Sequence, residues 1–486
     1  MDRVGQLAAI SDDIGRILRF ISLGTCLPLL VAVYYGEWDM LLPMASVPIS
    51  LLFLGTLLLT IPAKSREARL STALFAVALI WMICALIGAF PFVFGLGMPY
   101  LDSVFEAMSG WTDTGLTLLP SVDDAPHTLL FWRSLMQWLG GLGIVAFTIA
   151  MLNRSGITQF RLYRSEGRTE ALMPSVVATG LEMWKIYILL TAAGIVLIKL
   201  SGVPLWDALN IAMVAIATGG FSVHSAGIPF YQNPLLEMLI IPVMIAGALP
   251  FKLYFLTYHN RRISLFQDEQ ARLLFLLIIT GFVVVTLDLI FIQGLEIFMA
   301  FRQGIFMAAA AVTSTGFQIA QPGEWASVMV IFLILLMLIG GSSGSTAGGI
   351  KLSRIALAYR GLVWWFRRVF VSGRVIVPFR YEGKIIPKNV AELEVGKNML
   401  TIILFIFIIF IATTVVMHTE PITQDSSIVV FEIVSGICNN GISTGLVSPA
   451  LSPVTKIAFI LVMWIGRLEV MPVIVLIIGL LRGFDR

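Results

Sequence analysis

Ten apolar stretches limit what this chain can fold into: residues 18–36, 41–62, 70–95, 129–152, 177–200, 234–257, 273–294, 326–349, 399–418 and 455–481. A helix needs roughly 20 apolar residues to cross the hydrocarbon core of a bilayer, and each stretch supplies about that many. A soluble globule of 486 residues needs a polar shell, yet here 58% of residues are hydrophobic and only 13% charged. The expectation is an all-α polytopic membrane protein. A net charge of +3 is too small to mark a nucleic-acid partner. Cys26, Cys84 and Cys438 are scattered through apolar sequence and suggest neither a disulfide framework nor a metal site. The first twenty residues mix Asp2, Asp12 and Asp13 with three arginines, which does not read as a cleavable secretory signal.

The short connections set the orientation, because Lys and Arg are retained on the cytoplasmic side. Lys64, Arg66 and Arg69 follow the second stretch, Arg154, Arg161, Arg164 and Arg168 the fourth, and Arg261, Arg262 and Arg272 the sixth. A basic segment from Lys351 to Lys397 follows the eighth. The intervening connections, 37–40, 96–128, 201–233, 295–325 and 419–454, hold Arg302 as their one basic residue. This alternation predicts about ten crossings with both termini in the cytoplasm.

The four long outer connections are too apolar for ordinary solvated loops, and they share a phrase. They read YLDSVFEAMSGWTDTGLTLL, LWDALNIAMVAIATGGFSVH, AFRQGIFMAAAAVTSTGFQIA and VVFEIVSGICNNGISTGLV. Each offers a short helix-compatible run, breaks into small polar residues, and reaches a glycine: Gly115, Gly220, Gly316 and Gly441, about a hundred residues apart. The unit predicted from this spacing is helix, re-entrant segment, helix, written four times, with the first two spans standing outside the repeat.

Irregular backbone at membrane depth is tolerated only when buried in protein or lining a wet cavity. Four such segments meeting on one axis would offer unpaired carbonyls to replace the hydration shell of a cation. Glycine allows the backbone turn that a β-carbon penalises, and the negative C-terminal ends of the short helices favour a cation. Any one such motif alone is more often a helix-packing site or a turn. Four at matching positions, each followed by a basic loop or tail after the next helix, favour a pore.

WTDTGLT, ATGGFS, TSTGFQ and the fourth NNG segment resemble the filter sequences of the Trk/Ktr/HKT potassium transporters, and WRSLMQWLGGLGIV at 132–145, GGSSGSTAGGIKLSR at 340–354 and WIGRLEVMPVIVL at 464–476 are similar to other stretches of the same family. The similarity covers nearly all of 70–486, and the two extra N-terminal spans suggest the bacterial TrkH-type branch. The resemblance implies four pseudo-symmetric helix–pore loop–helix repeats around one pore, potassium selectivity, a bacterial inner-membrane location and a homodimer. It also implies a cytosolic TrkA-like nucleotide-binding regulatory partner. The chain would divide into two helices over 1–66 and pore repeats over 67–165, 166–265, 266–392 and 393–486.

The filter implied by the resemblance is Thr112, Asp113, Thr114, Gly115 and Leu116; Ala217, Thr218, Gly219, Gly220 and Phe221; Thr313, Ser314, Thr315, Gly316 and Phe317; and Asn439, Asn440, Gly441 and Ile442. Potassium would be held through Thr112, Thr218, Thr313 and Asn439, with no organic cofactor in this chain. In plant relatives a serine in the first repeat goes with sodium preference, so Gly115 argues for potassium. Asp113 stands where the family pattern has Thr and would place a carboxylate near the outer mouth. The fourth segment, CNNGIS, departs from the usual spacing of the branch.

Two features point to a gate. Residues 339–350 interrupt the eighth stretch with five glycines and three serines, where each glycine weakens a helix by about 1 kcal/mol relative to alanine. An intramembrane loop comprising Gly340, Gly341, Ser342, Ser343, Gly344, Ser345, Thr346, Ala347, Gly348 and Gly349 is expected beneath the filter; close helix packing through small residues is the plainer alternative. Ile350 separates Gly349 from Lys351, so the phosphate-loop pattern is absent. Arg467 lies inside the last apolar stretch, where a charge is either functional or paired. Glu469, two positions on, cannot face it on a helix. In the family an arginine here reaches into the cavity below the filter as an electrostatic brake.

Glu106 and Glu432 hold equivalent places in the first and fourth short helices, and Arg133 is expected to brace one of them. Asp102 and Asp207 are also equivalent and are expected as helix caps. The four histidines form no metal-ligand pattern. The basic segment 351–397 is an ordinary positive-inside loop or the docking place of the regulatory partner. The function expected is gated permeation of potassium. The alternatives are a proton- or sodium-coupled symporter on the same fold and, more remotely, an organic-solute transporter, although that class usually carries two inverted repeats. No nucleophile–base or metal motif points to an enzyme.

Overall fold

The computed structural model describes residues 3–61, 70–143, 176–260, 267–371, 377–381, 384–421 and 425–482. Lys64, Arg66, Arg69, Arg154, Arg161, Arg164, Arg168, Arg261 and Arg262 lie outside them, as do the expected repeat boundaries near 66, 165 and 265. Among the described residues six helices are long and apolar enough to cross a membrane: Leu7–Tyr35, Trp38–Leu59, Thr72–Leu96, Ala178–Lys199, Glu269–Phe291 and Lys388–Thr419. The last is buried over only 17% of its apolar window, so Ile403, Ile406, Phe407 and Phe410 face outward, as an apolar surface in lipid should. It begins at Lys388, five residues before the expected start of the fourth repeat at 393. A small antiparallel ribbon, Phe379–Tyr381 with Lys384–Ile386, interrupts the basic segment.

Four shorter helices occupy the centre: Tyr100–Trp111, Leu205–Ala217, Ile297–Thr313 and Ser426–Ile437. Every residue from Asp102 to Trp111 and from Phe431 to Ile437 is buried. The first short helix packs on helix Pro453–Arg467, the second on His127–Leu142, the third on Pro234–Ala248, and the fourth on Ser327–Ile339. Each therefore leans on the closing helix of the preceding repeat, and the first on that of the fourth. The chain closes into a ring.

Those four closing helices are not the unbroken spans that hydropathy suggests. His127–Leu142 stops at Gly143, which has φ +52. Pro234–Ala248 bends by 91° before Phe251, where Pro250 cannot supply a helical N–H. Ser327–Ile339 gives way at Gly340, φ +69, to an irregular loop. Pro453–Arg467 bends by 111° through Glu469 and Val470, both at positive φ. All four breaks fall beside the centre of the ring.

Candidate permeation pathway

Each short helix ends in the same backbone device. Asp113, Thr218, Ser314 and Asn439 all adopt the left-handed conformation, with φ of +56, +59, +55 and +48. The next residue's N–H reaches back five positions: Thr114 to Ser109, Gly219 to Val214, Thr315 to Ala310, and Asn440 to Ser435, at 2.9 to 3.1 Å. This is the Schellman stop, which satisfies carbonyls that a helix end leaves orphaned. Two positions past each left-handed residue come Gly115, Gly220, Gly316 and Gly441, with φ of +89, +86, +78 and +91. The four segments are thus superposable residue by residue, in the register set by the glycines.

The glycines meet. A β-carbon on Gly115 would fall within 3.0 Å of the carbonyl oxygen of Gly219. One on Gly220 would strike that of Thr315, one on Gly316 that of Asn440, and one on Gly441 that of Thr114. The contacts run from repeat one to two, three, four and back to one. Four carbonyl oxygens and four α-carbons form one closed collar, too tight for any side chain at the glycine positions.

The register corrects two expectations. Thr112 and Thr313 are equivalent to Ala217 and Cys438, whereas Thr218 and Asn439 lie one residue further, at the left-handed position. The fourth segment therefore starts at Cys438, and the expected set Thr112, Thr218, Thr313 and Asn439 mixes two layers. Matching by residue type obscured this, because Cys438 stands where repeats one and three have Thr. Thr112 and Thr313 do behave alike: each hydroxyl donates to a carbonyl four residues back, at 2.7 Å, and contacts the hydroxyl of Thr114 or Thr315 at 2.8 or 2.7 Å.

On one side of the collar is an open vestibule of about 570 Å³, with the four glycines as its floor and Thr117, Ser222, Gln318 and Ser443 on its walls. Two equivalent carboxylates fasten these walls. Glu106 accepts from the hydroxyl of Thr117 and the N–H of Leu118, both at 3.0 Å. Glu432 accepts from the Ser443 hydroxyl and the Thr444 N–H, both at 2.7 Å. Arg133 does brace Glu106, at 2.9 Å, and also donates to Ser222 O at 2.7 Å while lying over the Phe221 ring. Both partners are buried, so Arg133→Gln strands a carboxylate at membrane depth. The expected result is a loss of about 3–5 kcal/mol of stability, seen as a lower melting temperature in detergent that Glu106→Gln partly restores.

Gln137 belongs to this framework and carried no sequence signal, being one neutral polar residue in an apolar helix. Its amide donates to Gly219 O at 2.6 Å and accepts from Phe221 N–H at 3.1 Å. Asp102 and Asp207 lie in the first turns of their helices but do not cap them. Pro99 and Pro204 hold the cap positions; Asp102 pairs with Lys456 at 2.7 Å, and Asp207 faces His224 at 3.6 Å. Among the described residues no group of three metal-binding side chains forms.

On the other side of the collar the space shrinks to about 40 Å³, bounded by Gly141, Ser343, Gly348, Asn439, Arg467 and Glu469. That is room for little more than a water. The irregular stretch 340–351 fills the rest. Its backbone is tied to the bent second repeat: Ser342 N–H donates to Ala248 O, Thr346 N–H to Gly247 O, and Phe251 N–H to Gly344 O, at 3.1 to 3.2 Å. Gly348 lies against Cys438 O so closely that a β-carbon has no place there. The Thr346 hydroxyl reaches Ile216 O and Gly247 O, both at 2.9 Å.

Arg467 stands over the same space. It donates to Thr346 O at 3.0 Å and Gly140 O at 2.6 Å, and its guanidinium lies 2.9 Å from the carboxylate of Asp113. Asp113 is wholly buried and faces this arginine rather than the outer mouth. The left-handed turn at Asp113 swings its side chain behind the collar, a reversal that the linear sequence does not display.

The TrkH family model, described as a cation transport protein, matches residues 44–482. An uncharacterized cation transporter of Methanocaldococcus jannaschii is 32% identical over 97% of this chain and 95% of its own. The Trk system potassium uptake protein TrkH of Halomonas elongata is 28% identical over 97% and 98%, and TrkG of Escherichia coli K12 is 28% identical over 98% of both. The crystal structure of the potassium transporter TrkH from Vibrio parahaemolyticus superposes with a TM-score of 0.84 over 99% of each chain, at 24% identity. With a collar of four equivalent turns and a family match over nearly its whole length, this chain belongs to the TrkH family of cation transport proteins.

Proposed function

We propose that this protein is the potassium-conducting subunit of a Trk-type uptake system, working as a gated pathway through the collar. The observation that carries the reading is the cyclic contact of Gly115, Gly220, Gly316 and Gly441. A cation arriving hydrated in the vestibule loses its water where the carbonyls of Thr114, Gly219, Thr315 and Asn440 converge. Those oxygens stand in for the hydration shell, and the anchors on Gln137, Glu106 and Glu432 hold them at a fixed spacing. The inner layer, Thr112, Ala217, Thr313 and Cys438, receives the ion next. The negative ends of four short helices aim at the same point. Permeation then requires the loop Gly340–Gly349 to leave the space below, where Arg467 holds Thr346 O while the loop is shut.

Gated passive flux is favoured over coupled transport because most of the buried carboxylates among the described residues are committed to fixed partners. Glu106 is tied to Arg133, Glu432 to Ser443 and Thr444, Asp102 to Lys456, and Glu237 to Arg302 at 2.7 Å. A proton relay needs carboxylates free to exchange. The membrane potential supplies about 2.3 kcal/mol per charge for each 100 mV. The reading needs no organic cofactor and places the protein in the inner membrane of a bacterium, with both termini cytoplasmic.

It also assigns helix Leu352–Val369 to a regulatory contact. That helix continues directly from the loop and exposes Trp365, Phe366 and Val369, with Phe370 exposed just past its end. A homodimer and a cytosolic TrkA-like nucleotide-binding ring are the partners proposed. The test is rubidium against sodium uptake into proteoliposomes, with and without imposed voltage. Rubidium entry should exceed sodium entry and grow with an inside-negative potential. Equal entry of both ions, or indifference to voltage, would sink the reading.

A further inference from the structure

We infer that Asp113 is a positioning residue that neutralises Arg467 and couples the collar to the loop. The inference rests on the gate reading above and deepens it. Asp113 is buried, and neither of its carboxylate oxygens accepts a hydrogen bond. Its compensation is the guanidinium 2.9 Å away, whose N–H groups are directed instead at Gly140 O and Thr346 O. A buried carboxylate with so little else to satisfy it is tolerated because that positive charge is beside it. Reciprocally, Arg467 beside Asp113 presents the passage with an ion pair and not with a bare cation.

Two of the other left-handed positions, Thr218 and Asn439, support a coupling role. The Thr218 hydroxyl meets the Thr346 hydroxyl at 3.3 Å, and Asn439 donates to Thr114 Oγ1 and to Met463 O, both at 3.0 Å. The side chains of Asp113, Thr218 and Asn439 thus point behind the collar, into the elements that close it. Thr346 is reached by the collar twice, directly through Thr218 and through Asp113 by way of Arg467. When the loop withdraws, Arg467 loses Thr346 O. Asp113 and Gly140 keep the guanidinium off the axis, so that the opened passage carries no unbalanced positive charge.

The experiment measures rubidium uptake into proteoliposomes for Asp113→Asn, Arg467→Gln and the double variant, at equal amounts of reconstituted protein. Asp113→Asn should lower uptake about tenfold or more, because Arg467 keeps its charge and loses its counter-charge. The double variant, with neither charge, should return to within about threefold of the unsubstituted protein. Arg467→Gln alone leaves the carboxylate bare and should lower the KM for rubidium several-fold, an effect that the added Asp113→Asn removes. Unchanged uptake in Asp113→Asn, or a double variant no better than the single, overturns the inference. If Asp113→Asn does not reach the membrane, the KM comparison between Arg467→Gln and the double variant decides, and equal values overturn it. Gly316→Ser, assayed alongside, separates the two levels: if that variant transports normally the pore reading itself has failed, whereas its loss together with an indifferent Asp113→Asn removes only the coupling.

Discussion

Gly316→Ser is expected to abolish potassium uptake while the protein still accumulates in the membrane. Gly316 has φ +78, a region that costs an L-residue roughly 1–2 kcal/mol. The larger effect is steric. A β-carbon at this position would clash with the carbonyl oxygen of Asn440 and lie 3.1 Å from the α-carbon of Gly441. These are backbone atoms of the facing segment, held by Asn440 Nδ2 donating to Ala311 O at 2.9 Å and by Gly441 N–H donating to Ser435 Oγ at 3.0 Å. They cannot step aside as a flexible side chain would. One carbonyl must leave the collar, and an ion that has shed its water then lacks part of its replacement shell. A barrier rise of only about 2.7 kcal/mol slows passage a hundredfold. The measurement is growth rescue of a potassium-uptake-deficient host at low potassium, beside an immunoblot of the membrane fraction. Normal rescue at normal abundance would remove the collar from the permeation route.

The same collar explains what could be read from the sequence. Membrane insertion was legible because apolar length obeys the thickness of a bilayer. The four segments were legible because each glycine is demanded by a neighbour's backbone, so the phrase recurs at every meeting point. The Arg133–Glu106 brace was legible too, since a charge at that depth must be paired and Glu106 was one of two available acids. Other features left no such trace. The bend after Arg467 looks like continuous apolar sequence, because Leu468 and Val470 are as hydrophobic as a helix interior, whereas the glycines of 340–349 mark the break after Ile339. The place of Cys438 was hidden by its unlikeness to Thr112. Asp113 seemed to belong at the mouth, since only the left-handed turn turns its side chain inward and away from the axis. Asp102 and Asp207 matched the charge preference of a helix start, but the prolines before them already fix those starts.

Deleting Ser343–Ala347 is expected to raise basal uptake by about a hundredfold or more, the release of a barrier of some 2.7 kcal/mol, with little change in the preference for rubidium over sodium. The loop is the element that reduces the inner space to about 40 Å³, far less than a hydrated cation needs. It is held shut from two directions. Toward the collar, Thr346 binds Ile216 O, Gly247 O and Arg467. On the side away from the collar, Ser343 N–H donates to Gln270 at 2.8 Å, Ser343 contacts Ser353, and Arg354 pairs with Glu469. These outer ties join the loop to helices Glu269–Phe291 and Leu352–Val369, so a partner that moves the second helix would pull on the loop without touching the collar. Removing five residues cuts the ties through Ser343 and Thr346 while leaving Gly115, Gly220, Gly316 and Gly441 in contact. Rate and selectivity should therefore separate: the rate rises because the loop set it, and the ion preference persists because the collar sets that. Unchanged uptake in a deletion variant that reconstitutes normally would show that 340–349 is not the gate. Raised uptake with lost ion preference would place the loop among the elements that shape the collar itself.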